Sequence, residues 1–390
     1  MSDPRVSRRM IDVQSPMIPV VGEMVKRHPG TISLGQGVVK WGPPAGVAQA
    51  VGQGAAADPR VDRYSLAFGI DTLLDALRAK LESENATQVG PDRRIVVTAG
   101  SNMGFLNAVL AVADLGDEVI ILSPYYFNHE MAIEMAGCRA VVVATDDAYQ
   151  PVVSRIEGAI TDRTRAVVTI SPNNPTGAVY SRQALEEINA LCTRRGVYHI
   201  ADEAYEYFTF GDHRHYSPGS AKGAERHTIS LYTFSKAYGM AGWRVGYMVI
   251  PAHLEEAVKK VQDTNLICPP VICQIAAESA LHAGRDWCQV RVAELAEVRD
   301  LVIAELESLG DRVRVPQPGG AFYALVRVNT RQKDMEIVER LIKEFGVAVM
   351  PGNTFGMAEE CYLRVAFGAM DKDSVAAGMG RLVKGLRAIN

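Results

Sequence analysis

Through its middle the chain alternates short, near-continuous apolar runs with amphipathic stretches, and this alternation restricts the fold more than any other feature. Residues 94–98, 118–122, 140–144, 166–170, 197–201 and 229–233 each read as a strand, and residues 102–113, 127–136 and 182–195 read as helices between them. A strand that is apolar along its whole length expects cover on both faces, unlike the alternating pattern of a half-exposed antiparallel strand. Such strands joined by helical crossovers predict an α/β fold with a mostly parallel central sheet and helices on both faces. Residues 247–250 add an antiparallel strand to that expectation.

Further along, the texture changes. From about residue 254 to 309 the pattern is helical, with a break at Pro269-Pro270. Residues 313–315 and 321–328 then read as strands around a Pro318-Gly319-Gly320 turn, 335–345 as a helix, 362–366 as a strand and 374–388 as a closing helix. This predicts a smaller α+β domain. The expected division is residues 1–50 as an N-terminal arm and part of the small domain, 51–290 as the large domain, and 291–390 as the C-terminal small domain. No internal repeat or low-complexity linker interrupts it.

Composition narrows the function classes. A net charge of -4 and a pI near 6.1 give no footprint for nucleic acid. No apolar stretch approaches the roughly 20 residues that cross a bilayer, and Met1-Ser2-Asp3-Pro4-Arg5 lacks the apolar core of a signal peptide. The six cysteines are scattered, and the closest pair, Cys268 and Cys273, has neither zinc-knuckle nor redox spacing. Reduced thiols in a cytoplasmic protein that needs no metal are the expectation.

Several residues with chemical potential fall where strands end, the edge at which open α/β sheets bind ligands. Lys236 lies just past the run 228–232; a lysine there is either a surface residue or a Schiff-base former able to carry a proton. Arg244 is a fixed cation suited to a phosphate. The turn Gly100-Ser101-Asn102 opens a predicted helix, whose N-terminus holds an anion or merely carries an N-cap. Asn174 sits in the tight turn Asn173-Asn174-Pro175-Thr176-Gly177. Asp202 and Glu203 close the strand 197–201, as a cation partner or a magnesium pair. Tyr126 follows another strand and offers a ring for stacking or for the core. Arg364, in the strand 362–366, needs an anion if it faces inward, either a ligand carboxylate or a structural one. Two further patterns are set aside. Gly52-Gln53-Gly54 does not follow a strand, so it is no dinucleotide loop, and Asp212-His213-Arg214-His215 reads as a solvated turn.

Taken together, Ser-Lys-x-x-Gly-x-x-Gly-x-Arg from Ser235 to Arg244 resembles the cofactor-lysine signature of the class I/II aminotransferases, the fold-type I pyridoxal phosphate (PLP) enzymes. The resemblance implies PLP held by Lys236, with Asp202 on the pyridine nitrogen, Asn174 and Tyr205 near the ring oxygen, and Tyr126 stacked on the ring. It assigns the phosphate to Gly100, Ser101, Asn102, Thr233 and Arg244, and to Tyr64 reaching across from the neighbouring subunit of a homodimer. Gly37 and Arg364, with Asn174, are the implied substrate contacts, Arg364 taking the α-carboxylate. The implied reaction is ping-pong transfer of an amino group from an L-amino acid to a 2-oxo acid. The aromatic, kynurenine and methionine branch is the nearest in pattern, and Trp41, Tyr125 and Phe322 are expected to line an apolar pocket. Every motif serves Cα deprotonation in general, so a β-eliminating lyase and an oxidative deaminase stay open, as does a non-enzymatic PLP-binding regulator.

Overall fold

Seven strands form one sheet in the order Arg93–Thr98, Gly246–Pro251, Thr228–Thr233, Tyr198–Asp202, Thr164–Ile170, Glu118–Ser123, Arg139–Ala144. Only Gly246–Pro251 runs against its neighbours; the others share one direction. The computed structural model describes residues 5–389. Residues 1–4 and 390, part of the expected terminal segments, lie outside the described residues.

The apolar runs are buried on both faces. Val119 and Ile121 pack with Phe105, Val109 and Ile133 on one side, while Ile120 and Leu122 pack with Leu185, Ile188 and Leu191 on the other. Adjacent side chains of a strand point to opposite faces, so both layers are filled from one run. The register aligns Ile170 with Asp202, Asp202 with Leu231, and Thr233 with Gly246. The carboxyl ends of several parallel strands therefore open at one edge, beside the start of helix Ser101–Val112.

A second, antiparallel sheet has the order Met350–Pro351, Tyr362–Ala366, Tyr323–Val328, Val313–Arg314. Ile32–Ser33 pairs in parallel with Val347–Ala348, which ties an N-terminal segment to the C-terminal part of the chain.

The structure departs from the sequence reading in places. The helical stretch after residue 254 is three helices, Glu255–Asn265, Val271–His282 and Gly284–Glu307. The second break falls at Ala283-Gly284, where Gly284 turns the chain with a φ of +75° as the third helix starts. Helices Met17–Arg27, Ala45–Ala57 and Asp71–Glu84 were not anticipated, and Gly52 lies inside one of them. No described helix is long and apolar enough to cross a membrane. All six cysteines are free.

Candidate active site

The site grows from the loops at the carboxyl edge of the large sheet. Ser101, Asn102, Tyr126, Asn174, Asp202, Tyr205, Thr233, Lys236 and Arg244 line one cavity there, joined by Gly37 from the N-terminal segment and Arg364 from the small sheet. Residues from at least six separate segments converge, although some are more than 300 positions apart in the chain: Arg364 Nη2 donates to Gly35 O at 2.7 Å, a separation of 329 residues. The cavity volume is about 210 Å³.

Lys236 reaches into this space and donates from Nζ to Gly37 O at 2.6 Å. Burial, with Arg364 and Arg244 adding repulsion, pulls its ammonium down to about 8. A neutral amine near physiological pH can act as a nucleophile or a base.

At one end of the cavity, helix Ser101–Val112 begins without a side-chain cap, so its first N–H groups keep their capacity for an anion. Gly100 has a φ of +82°, and a Cβ on it would stand 2.4 Å from Arg244 Nη2. Glycine here lets the guanidinium lie against the helix start. Arg244 is further held by Ala241 O at 3.0 Å. The Thr233 hydroxyl donates to Ser235 Oγ at 2.9 Å, which brings a second hydroxyl to the same corner. Cation, hydroxyls and helix dipole together suit a phosphate.

Asp202 is only 5% exposed. Its Oδ1 accepts from Ala204 N at 3.0 Å. Its Oδ2 lies 3.1 Å from His129 Nε2, but neither ring nitrogen makes a hydrogen bond. Phe105 stacks on the His129 ring at 3.9 Å. The imidazole therefore backs the carboxylate without saturating it, and Asp202 retains accepting capacity toward the cavity.

Arg364 is the most informative residue. It is 1% exposed, yet among the described residues no carboxylate pairs with it. Nη1 donates to Asn174 Oδ1 at 3.1 Å, Nη2 to Gly35 O, and Nε has no partner. Tyr323 and Phe355 flank the guanidinium at 4.7 and 4.8 Å. Burial lowers its pKa, with partial compensation from nearby phenols. Burying a cation without a counter-ion is costly, and with none among the described residues the guanidinium is free to take an anionic ligand. The alternative of a structural carboxylate partner is thereby excluded among the described residues.

The Tyr205 hydroxyl lies 2.8 Å from that of Tyr323, and burial drives the Tyr205 phenol well above its ordinary value. Tyr126 accepts from Asn128 Nδ2 at 2.7 Å, and burial raises its phenol too. Asn173, next to Asn174, fixes the turn by accepting from Thr176 N and Thr176 Oγ1 at 3.1 and 2.8 Å.

Two of the residues assigned to the cofactor stand outside the cavity lining. Gly100 lies beneath Arg244, as described. Tyr64 is 79% exposed and away from the cavity of its own chain. Trp41, Tyr125 and Phe322 do not line the cavity: Phe322 packs with Tyr205, Phe208 and Tyr323, and Trp41 stacks on Phe208. The apolar lining comes instead from Ile18 and Val38, with Tyr323 beside them. His129, Ser235 and Tyr323 escaped the sequence reading. Ser235 adjoins Lys236 in the motif and was legible there; His129 and Tyr323 carry no local signal. The turn at Asp212 to His215 is not fully solvated, because His215 Nε2 meets Glu203 Oε2 at 2.8 Å and its side chain is 11% exposed. Among the described residues no cluster suits a metal ion. A larger cavity of about 520 Å³ is lined by Glu84, Glu206 and Arg285, but it contains none of the motif residues, and Tyr207 and Lys80 already engage its two carboxylates.

Comparison with known proteins agrees with this geometry. The family model for aminotransferase class I and II matches residues 29–382. An aromatic aminotransferase of Arabidopsis thaliana is 32% identical over 393 residues, covering 98% of this chain and 97% of that one. An aspartate/prephenate aminotransferase of Thermus thermophilus is 36% identical over 299 residues, covering 75% and 76%. The crystal structure of an aromatic aminotransferase from Pyrococcus horikoshii superposes with a TM-score of 0.87 at 32% identity, covering 95% of this chain and 99% of that one. With a lysine, a phosphate-type corner and an unpaired buried arginine facing one cavity, and with this match across nearly its whole length, the chain belongs to the class I and II aminotransferases, enzymes that depend on pyridoxal phosphate.

Proposed function

We propose that this aminotransferase moves the amino group of an aromatic or other large neutral L-amino acid, methionine included, to a 2-oxo acid by a ping-pong sequence. The observation that carries the proposal is Arg364, a buried cation whose Nε has no partner and which has no counter-ion among the described residues, in the same cavity as Lys236. A guanidinium fork matches an α-carboxylate, which donor and acceptor share.

The residues present fit the cofactor. Ser101, Asn102, Thr233, Ser235 and Arg244 would hold its phosphate, Asp202 its ring nitrogen, Asn174 and Tyr205 its ring oxygen, and Tyr126 its ring face. When bound, pyridoxal phosphate draws electrons from the substrate's Cα and so acidifies the hydrogen there. Lys236, whose amine is neutral above about pH 8, would take that proton on Nζ and carry it for return to the cofactor side. Arg364 fixes the carboxylate so that the Cα–H bond faces Lys236. Asp202, which keeps accepting capacity toward the cavity, would pair with the ring nitrogen. The amino acid and the 2-oxo acid together exchange amino group for carbonyl oxygen, so no outside oxidant is needed, and both would bind in turn on the same contacts.

The cations lining the cavity support this donor class. Lys236, Arg244 and Arg364 are the cations lining the cavity, and each has a role above. A side-chain carboxylate finds no further cation among these lining residues, whereas Ile18, Val38 and Tyr323 offer apolar surface. We further propose a cytoplasmic homodimer in which Tyr64 completes the phosphate site of the other subunit, with residues 1–50 and 291–390 forming the smaller domain against 51–290.

A panel of amino donors and 2-oxo acid acceptors, read by mass spectrometry, tests the assignment. Phenylalanine, tyrosine and methionine should exceed aspartate in kcat/KM, and without an acceptor oxo acid should stop at one equivalent per site. Ammonia release without an acceptor would indicate elimination or oxidation instead.

A further inference from the structure

Residues 64–70 form no helix or strand, yet they are fastened at several points. Phe68 O accepts from Val97 N at 2.9 Å, and Gly69 N donates to Leu66 O at 3.0 Å. The remaining ties come from two glutamines that are each 0% exposed. Gln274, on helix Val271–His282, accepts from Ile70 N at 2.8 Å and donates to Ser65 Oγ at 3.2 Å and Pro269 O at 2.8 Å. Gln262, on helix Glu255–Asn265, donates to Ala67 O and to Val97 O at 2.9 Å, and accepts from Asn107 Nδ2 at 3.1 Å. Each amide thus uses both N–H groups and its oxygen. Gly69 has a φ of +125°, and a Cβ there would stand 2.6 Å from Val97 and 3.1 Å from the Gln274 oxygen, so the loop lies flat on its supports.

This precision contrasts with what the loop displays. Tyr64 is 79% and Leu66 72% exposed. A buried primary amide is expensive to desolvate, and an aliphatic side chain would serve packing alone. A rigid backbone carrying an exposed tyrosine is a pre-organised contact for something outside the chain.

We infer that Gln262 and Gln274 are positioning residues that set the Tyr64 loop for a second copy of this chain, so that each subunit's glutamines govern cofactor affinity in the other subunit. The inference rests on the proposed reading of Tyr64 as the residue that crosses to the partner's phosphate site.

The test uses Gln274→Leu, Gln262→Leu, the gentler Gln274→Met, and Tyr64→Phe, with PLP affinity as the readout and thermal unfolding alongside. Homodimers of the glutamine variants should bind PLP about tenfold or more weakly. Mixed dimers with Lys236→Ala then separate the subunits, because only a site with lysine gives the visible absorbance of lysine-bound cofactor. With Gln274→Leu on one subunit and Lys236→Ala on the other, the surviving lysine site borrows an intact loop, and its affinity should match wild type. With both changes on one subunit, the surviving site borrows the damaged loop, and its affinity should fall by the homodimer factor. The reverse order marks a defect confined to the variant's own subunit and overturns the inference. Gln274→Met carries the same comparison if the leucine variants fail to fold. Combining Gln274→Met with Tyr64→Phe should weaken PLP no further than Tyr64→Phe alone; additive losses contradict the inference. If Tyr64→Phe acts across the dimer while the glutamine variants are silent, only the inference fails. If Tyr64→Phe shows no effect on the partner's site, the crossing reading fails, and the inference with it.

Discussion

Arg364 donates through Nη1 to Asn174 Oδ1 at 3.1 Å, so the arginine of the small sheet and the asparagine at the end of strand Thr164–Ile170 share one hydrogen bond across the cavity. The pair joins two parts of the chain 190 residues apart and sets the guanidinium by a neutral partner, which leaves its charge for a ligand.

Replacing that neutral partner by an anion should spoil the arrangement. Asn174→Asp would give Arg364 an internal counter-ion and make every α-carboxylate compete with it. A charged hydrogen bond contributes roughly 1.5–3 kcal/mol, so KM should rise about tenfold to a hundredfold for donors and acceptors alike. Steady-state kinetics with several amino acids and one amine lacking the carboxylate check this. The amine should escape the KM penalty.

Asp202→Asn keeps the volume and removes the anion. Loss of a buried charge-assisted partner should cost roughly 1.5–3 kcal/mol, or about one to two decades of kcat. His129→Phe keeps the stack on Phe105 but removes the imidazole beside the carboxylate, so its effect should be smaller and in the same direction. Near wild-type turnover in Asp202→Asn would mean that the ring nitrogen has another partner.

The depressed Lys236 amine predicts a pH profile for cofactor capture. Covalent capture of PLP by protein stripped of cofactor requires the neutral amine. Because burial brings this group from 10.5 to about 8, the neutral fraction and the capture rate should climb about tenfold per pH unit below 8 and level off above it. Stopped-flow absorbance measures the rate. A lysine with its ordinary value would still be climbing at about pH 9.

Gly100→Ala should strike the phosphate corner. The added Cβ falls 2.4 Å from Arg244 Nη2, and the φ of +82° strains any residue but glycine. Arg244 must swing away from the helix start. PLP affinity should drop by about tenfold or more, with a loss in Tm because backbone at φ 82° and ψ 164° costs a non-glycine residue about 1–3 kcal/mol. Equilibrium titration and thermal melts separate the two effects.

Much of the fold was legible because parallel strands buried on both faces leave unbroken apolar runs; the strand 362–366 was read with its observed ends. What escaped notice has physical causes. Helix Ala45–Ala57 contains three glycines, poor helix formers; it is held by packing, with Gly54 close against Ile272 and Ile275. Ile32–Ser33 and Val347–Ala348 are two residues each, too short for any period to register. Within the site, residues at strand ends could be read locally, whereas His129 meets Asp202 only through the fold. The aromatic residues expected in the pocket, Trp41, Tyr125 and Phe322, went to packing instead, because a sequence does not say which face of a loop an aromatic ring will occupy.

The measurement that bears most directly on the whole site is borohydride reduction of the PLP-loaded protein followed by peptide mass mapping. Lys236 lies 2.6 Å from Gly37 O inside the one cavity that gathers Asp202, Arg244 and Arg364. It should carry the pyridoxyl group, at one per chain, and Lys236→Ala should abolish both the label and turnover. A pyridoxyl group on any other lysine, or no label after saturation with PLP, would contradict the account.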